Sequence, residues 1–219
     1  MNTKLKSFCN QKLKNPEHHN ELGISICLSP FTILVGPNGT GKSLSLLKIE
    51  YECKQNNIKC VKYSNKHEDI VQKAGLDWDP YKLLCAFHSE GERINDSFNN
   101  WCETVLAKEL VNNEDNIYIL LDELDSGLSK DRLESIVWSF KYVIEHELIW
   151  HPKRRINFVI TCNSYELLEC FYKDPELCIK TVTYFVPTKE IVSITSYKKF
   201  TKLFEDYLNY MTKDQKIKK

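Results

Sequence analysis

Apolar runs bounded by polar turns alternate along this chain with segments whose apolar residues recur at helical spacing. Ile24 to Leu28 and Phe31 to Val35 are strand-like, and the second is apolar throughout, as a strand buried on both faces should be. A helix carrying Leu44, Leu47 and Ile49 follows, then a short strand from Ile58 to Tyr63. Residues 66 to 88 are mixed and broken by Pro80, whereas Ile94, Phe98, Trp101, Cys102, Val105 and Leu106 fall at steps of three and four and predict an amphipathic helix. After the polar turn Asn112 to Asn116 comes the clearest buried strand, Ile117 to Leu121, which ends on Asp122 and Glu123. A long helix is predicted from Ser129, a suitable N-cap, to Ile149, before the stop at His151-Pro152. Ile156 to Thr161 reads as another buried strand and Tyr165 to Tyr172 as a helix. Thr181 to Val186 and Ile191 to Thr195 flank Pro187-Thr188-Lys189-Glu190 as a hairpin, and a final helix presents Phe200, Leu203, Phe204, Tyr207, Leu208 and Met211 on one face.

Strands alternating with helices predict an α/β fold, a mainly parallel sheet flanked by helices with an antiparallel portion. With 219 residues, 42% of them hydrophobic, one domain over residues 1–212 is expected, with a minimal helical lobe at about 66–111 and a mobile basic tail at 213–219. Basic and acidic residues balance at 30 each, so contact with nucleic acid would need a local patch. Lys153-Arg154-Arg155 is the candidate for that, against the alternative of a solvated loop. The nine cysteines include no C-x-x-C pair, which argues against a disulfide framework or a zinc ribbon. His18-His19 has no third ligand nearby and reads as solvated. No signal peptide or membrane span is visible, so a cytoplasmic protein without membrane insertion is expected.

The chemistry begins at Gly36-Pro37-Asn38-Gly39-Thr40-Gly41-Lys42-Ser43, between a buried strand and the helix that opens with Leu44. This is the pattern of a phosphate-binding loop. Its glycines let backbone N–H groups turn onto nucleotide oxygens, Lys42 reaches the β- and γ-phosphates, and the Ser43 hydroxyl is placed for Mg²⁺. In such a fold the Asp122 strand is expected beside the loop's own strand. Asp122 would then help hold Mg²⁺, and Glu123 would sit beside the water that attacks the γ-phosphate of ATP.

Glu123 followed by Leu124-Asp125-Ser126-Gly127-Leu128-Ser129 resembles the D-loop of ABC-type ATPases. Upstream, Phe87-His88-Ser89-Glu90-Gly91-Glu92-Arg93 resembles their signature motif, in the form found in chromosome-maintenance heads and in RecF-like and OLD-type ATPases. The resemblance implies a P-loop NTPase fold and a homodimer closed by ATP, in which Ser89 and Gly91 meet the γ-phosphate held by the other subunit and Asp125 lies at the nucleotide site. The family's switch histidine is replaced by Asn163 in Ile160-Thr161-Cys162-Asn163-Ser164. Asparagine can hydrogen-bond but carries no proton at neutral pH, which points to slow hydrolysis. Ser64 and Asn65 are the candidates for the Q-loop position.

About 45 residues separate Ser43 from Ser89, too few for coiled-coil arms or for a transporter's helical subdomain. The resemblance therefore implies a stand-alone head whose partner is nucleic acid, a nuclease or another effector protein. A regulatory clamp that binds ATP and hydrolyses it weakly is the alternative, ahead of a transporter subunit and a small-molecule kinase.

Overall fold

The computed structural model describes residues 29–64, 90–112, 116–151 and 154–217. Strand β1 (Phe31–Val35) is buried at every position and leads through the glycine-rich turn into helix α1 (Lys42–Gln55), which returns the chain to strand β2 (Lys59–Ser64). Helix α2 (Glu90–Trp101) continues through a π-helical turn (Cys102–Leu106) into α3 (Ala107–Asn112). Strand β3 (Ile117–Asp122), the long helix α4 (Lys130–Trp150) and strand β4 (Ile156–Cys162) come next. Helices α5 (Tyr165–Lys173) and α6 (Pro175–Ile179), the strands β5 (Thr181–Phe185) and β6 (Glu190–Val192), and helix α7 (Tyr197–Ile217) complete the described chain.

Among the described residues the strands form one six-stranded sheet in the order β2-β3-β4-β1-β5-β6. All pairings are parallel except the hairpin of β5 with β6, so the mainly parallel α/β sheet with an antiparallel edge is present as predicted. The expected adjacency of β3 and β1 is not. β4 lies between them, pairing with β1 in the register Leu34↔Thr161 and with β3 in the register Leu121↔Ile160. A strand buried along nearly its whole length needs a hydrogen-bonding partner on each edge, and an interior slot supplies both.

Alternate side chains of these strands feed two cores. On one face Phe31, Ile33, Ile119, Leu121, Phe158 and Ile160 pack with residues of α2, α4, α5 and α7, including Phe98, Phe140, Phe171 and Phe200. On the other, Leu34, Leu120, Val159 and Tyr184 pack with Leu46, Ile49 and Cys53 of α1. Stacked rings such as Phe31 on Phe158, with centroids 5.4 Å apart, fill the first core.

Three details differ from the sequence pattern. Val105 is exposed although it falls on the predicted apolar face, because the π-helical turn shifts the helix phase and leaves Leu106 to enter the core. α7 runs to Ile217, through most of the segment expected as a mobile tail. Helix α6 was not anticipated, although Asp174-Pro175 is a strong local start: the Asp174 carboxylate accepts the Glu176 and Leu177 N–H groups at 2.8 and 3.2 Å. The expected strand at Ile24 to Leu28, His18-His19, most of the proposed lobe and Asn65 lie outside the described residues. Among the described residues no helix is long and apolar enough to cross a membrane.

Candidate functional site

Because β1, β3 and β4 run parallel, their C-terminal ends open on one edge of the sheet, where ligands of open α/β sheets bind. The glycine-rich loop, Asp122 with Glu123, and Asn163 all follow these ends. In the loop, Gly39 and Gly41 have φ of 79° and 89°, in the left-handed region, and no atom stands near where a Cβ would be. The glycines there serve backbone conformation rather than close packing. The Thr40 hydroxyl donates to the Pro37 carbonyl at 2.8 Å and tightens the turn. Gly41 caps α1 without any side-chain acceptor, which leaves the first-turn amides of a 14-residue helix available to an anion. Leu44, on the first turn, is largely exposed.

Lys42 is buried and folds back over the loop, donating to the carbonyl oxygens of Gly36 and Pro37 at 2.6 and 3.0 Å. Burial lowers the pKa of its ammonium, an effect opposed by the carboxylates of Asp125, Glu123 and Asp122. Its neighbours are thus the acids that follow β3. One of them is joined directly to the loop: the Ser43 hydroxyl donates to Asp122 Oδ1 at 3.0 Å. Ser64, at the end of β2, is in register with Asp122.

Thr161, fully buried on β4, is expected from the sequence only as a strand residue, and it sits at the centre of the site. Its hydroxyl donates to Asp122 Oδ1 at 2.9 Å and accepts the backbone N–H of Glu123 at 2.7 Å. Glu123 itself has φ of 57°, a left-handed conformation uncommon for a residue with a Cβ. A polar residue near the end of a strand whose other buried residues are apolar is the available signal, but its two partners depend on the strand order.

Asp125 is another charged neighbour of Lys42. It is buried and turned onto its own chain, where Oδ2 accepts the N–H groups of Asn163 and Ser164 at 2.8 and 2.6 Å. The carboxylate therefore pins the turn after β4 to the loop after β3. Its Oδ1, Asn163 Oδ1 and Ser164 Oγ are buried without hydrogen-bond partners among the described residues. Gly91 lies in the first turn of α2, against Gly127, while Ser89 falls outside the described residues.

Arg154 departs from both the expected surface patch and a solvated loop. It is buried, and its guanidinium donates to the Leu110 carbonyl at 2.6 Å, tying the end of α3 to the approach to β4. Of the basic stretch proposed for phosphate contact, Arg155 is exposed and Lys153 is outside the described residues. No protein-family model matches the chain, and no curated protein matches it.

Proposed function

We propose that this chain is an ABC-type P-loop ATPase, binding ATP on the Gly36-to-Ser43 loop and hydrolysing it at the interface of a head-to-tail homodimer. The observation that carries the reading is the Ser43 to Asp122 hydrogen bond, which brings the loop hydroxyl and the strand-end carboxylate to one point from 79 residues apart. The two are hard oxygen donors of the kind Mg²⁺ takes, so Ser43 and Asp122 fit as its protein ligands. When bound, the ion would draw charge from the phosphate oxygens during transfer.

The remaining roles belong to the chain's own groups. The amides of Gly39 to Ser43 and the Lys42 ammonium hold the phosphates, and Lys42 exchanges its carbonyl partners for phosphate oxygens as the nucleotide enters. Glu123 orients the attacking water and takes its proton. Asn163 offers an amide to the γ-phosphate, with no group that titrates near neutrality. Ser89 and Gly91 close on the nucleotide of the second copy. Asp125 acts within its own chain by holding the Asn163 turn. The load would be nucleic acid, a nuclease or another effector.

The dimer is the decisive test. Glu123→Gln should bind ATP, fail to hydrolyse it and accumulate as a closed dimer in solution mass measurements. Adding Ser89→Arg should return it to monomer, because a bulky cation fills the space between signature helix and γ-phosphate. An ATP-bound Glu123→Gln protein that never closes would remove the ABC-type reading, and undiminished ATP affinity in Lys42→Ala would remove the phosphate loop. Asn163 favours a second reading, an ATP-dependent regulatory clamp with weak turnover. Phosphate release with and without DNA separates the two.

A further inference from the structure

We propose that Thr161 is a positioning residue for this hydrolysis, a single hydroxyl that sets the backbone of Glu123 against the carboxylate of Asp122; the inference rests on the ATPase reading above. The direction of each hydrogen bond is forced. A backbone amide only donates, so the 2.7 Å contact from Glu123 N makes Thr161 Oγ1 the acceptor there. The one hydroxyl proton is then committed to Asp122 Oδ1 at 2.9 Å, the same oxygen that accepts from Ser43. The chain of donors runs from the base, through Thr161, to the carboxylate that meets the phosphate loop.

Strand order makes this possible. Thr161 stands opposite Leu34 of β1 on one edge and follows Ile160, the partner of Leu121, on the other, so it reaches the chain leaving β3 as well as facing the strand that carries the loop. Threonine suits the task because its branched Cβ restricts χ1, and full burial leaves the hydroxyl no water to turn toward. The clamp acts on a left-handed backbone: Glu123 has φ of 57°, so its placement depends on contacts that hold its amide. A shift of this residue would move the carboxylate away from the water it orients.

Thr161→Val keeps the shape of the side chain and removes the oxygen, whereas Thr161→Ser restores it. The expected result is a fall in kcat of about 100-fold for Thr161→Val, the scale of a 1 Å misplacement, with the KM for ATP little changed and most of the rate recovered in Thr161→Ser. Hydrogen exchange at the Glu123 amide, measured without nucleotide, should be slow in the parent and in Thr161→Ser and fast in Thr161→Val. Parental kcat in the valine variant, a loss confined to KM, or a serine variant as slow as valine would overturn the proposal. So would unchanged Glu123 exchange in Thr161→Val. A parent chain that does not hydrolyse ATP sinks the ATPase reading and the catalytic role with it, while the exchange contrast still decides whether the clamp exists.

Discussion

A Cβ on Gly91 would stand 2.7 Å from the carbonyl oxygen of Gly127, so the first turn of α2 rests directly on the loop that follows Glu123. Gly127 is itself left-handed, with φ of 75°, and its carbonyl faces Gly91. A side chain at Gly91 would separate segments that the proposed function uses together.

Gly91→Ala distinguishes this contact from ordinary helix propensity. In a free helix the change would stabilise by up to about 1 kcal/mol. Against a backbone carbonyl that cannot rotate aside, overpacking costs about 1–3 kcal/mol. We expect a net loss of stability, seen as a lower urea midpoint at unchanged slope. A midpoint equal to or above the parent's would mean that α2 does not sit on Gly127.

Glu123 allows a test of backbone strain that does not depend on activity. Glu123→Gly and Glu123→Ala remove the same carboxylate, but only glycine accepts φ of 57° freely. The glycine variant should therefore be the more stable of the two by about 1 kcal/mol, the penalty of a left-handed residue, and neither should turn over ATP. Equal melting temperatures would show that the loop relaxes once the side chain is gone.

What was legible in the sequence was what is local. The run Phe31 to Val35, the glycine spacing after it and the acids ending β3 declare themselves within a few residues, and strands β1, β3 and β4 stand where the hydrophobic pattern puts them. Strand order is set by contacts between segments far apart, so the insertion of β4 between β1 and β3 had no local mark. The contacts of Thr161 and Asp125 leave no local mark for the same reason, since Thr161 meets Glu123 across 38 residues and Asp125 meets Asn163 across the same interval. Arg154 shows the converse: a basic triplet looks like a surface patch until the Leu110 carbonyl is found beneath it.

That burial separates Arg154 from its neighbour. Arg154→Ala should destabilise the protein by roughly 1–3 kcal/mol, because the Leu110 carbonyl loses a charged donor in a part-buried setting. Arg155→Ala, at an exposed position, should change stability by less than about 0.5 kcal/mol. Denaturant unfolding of the pair checks the contrast. If a phosphate backbone is bound in this region, the salt dependence of binding should respond to Arg155→Ala.

The junction of α4 with α6 should make stability depend on pH in acid. Lys141 lies 2.8 Å from Asp174 Oδ2 and 2.9 Å from Glu176, while the other Asp174 oxygen caps α6. The hydrogen bond from Lys141 holds the Asp174 carboxyl below its ordinary pKa, with the α6 amides adding to the effect. A carboxyl depressed in the folded state contributes stability above its unfolded value, near pH 4, and loses it as pH falls through the folded value. Asp174→Asn keeps an acceptor for the cap and discards the charge. Glu176 and Glu169, also depressed by lysine neighbours, remain in both proteins, so the difference between them reports Asp174 together with its coupling to Glu176 through Lys141. At pH 7 the asparagine variant should melt below the parent, and the gap should narrow from about pH 4 downward until the curves meet. Because the site is partly exposed, added salt should narrow the gap at pH 7 as well. A gap that stays constant between pH 7 and pH 2 would assign the effect to the cap's shape instead of the charge of Asp174.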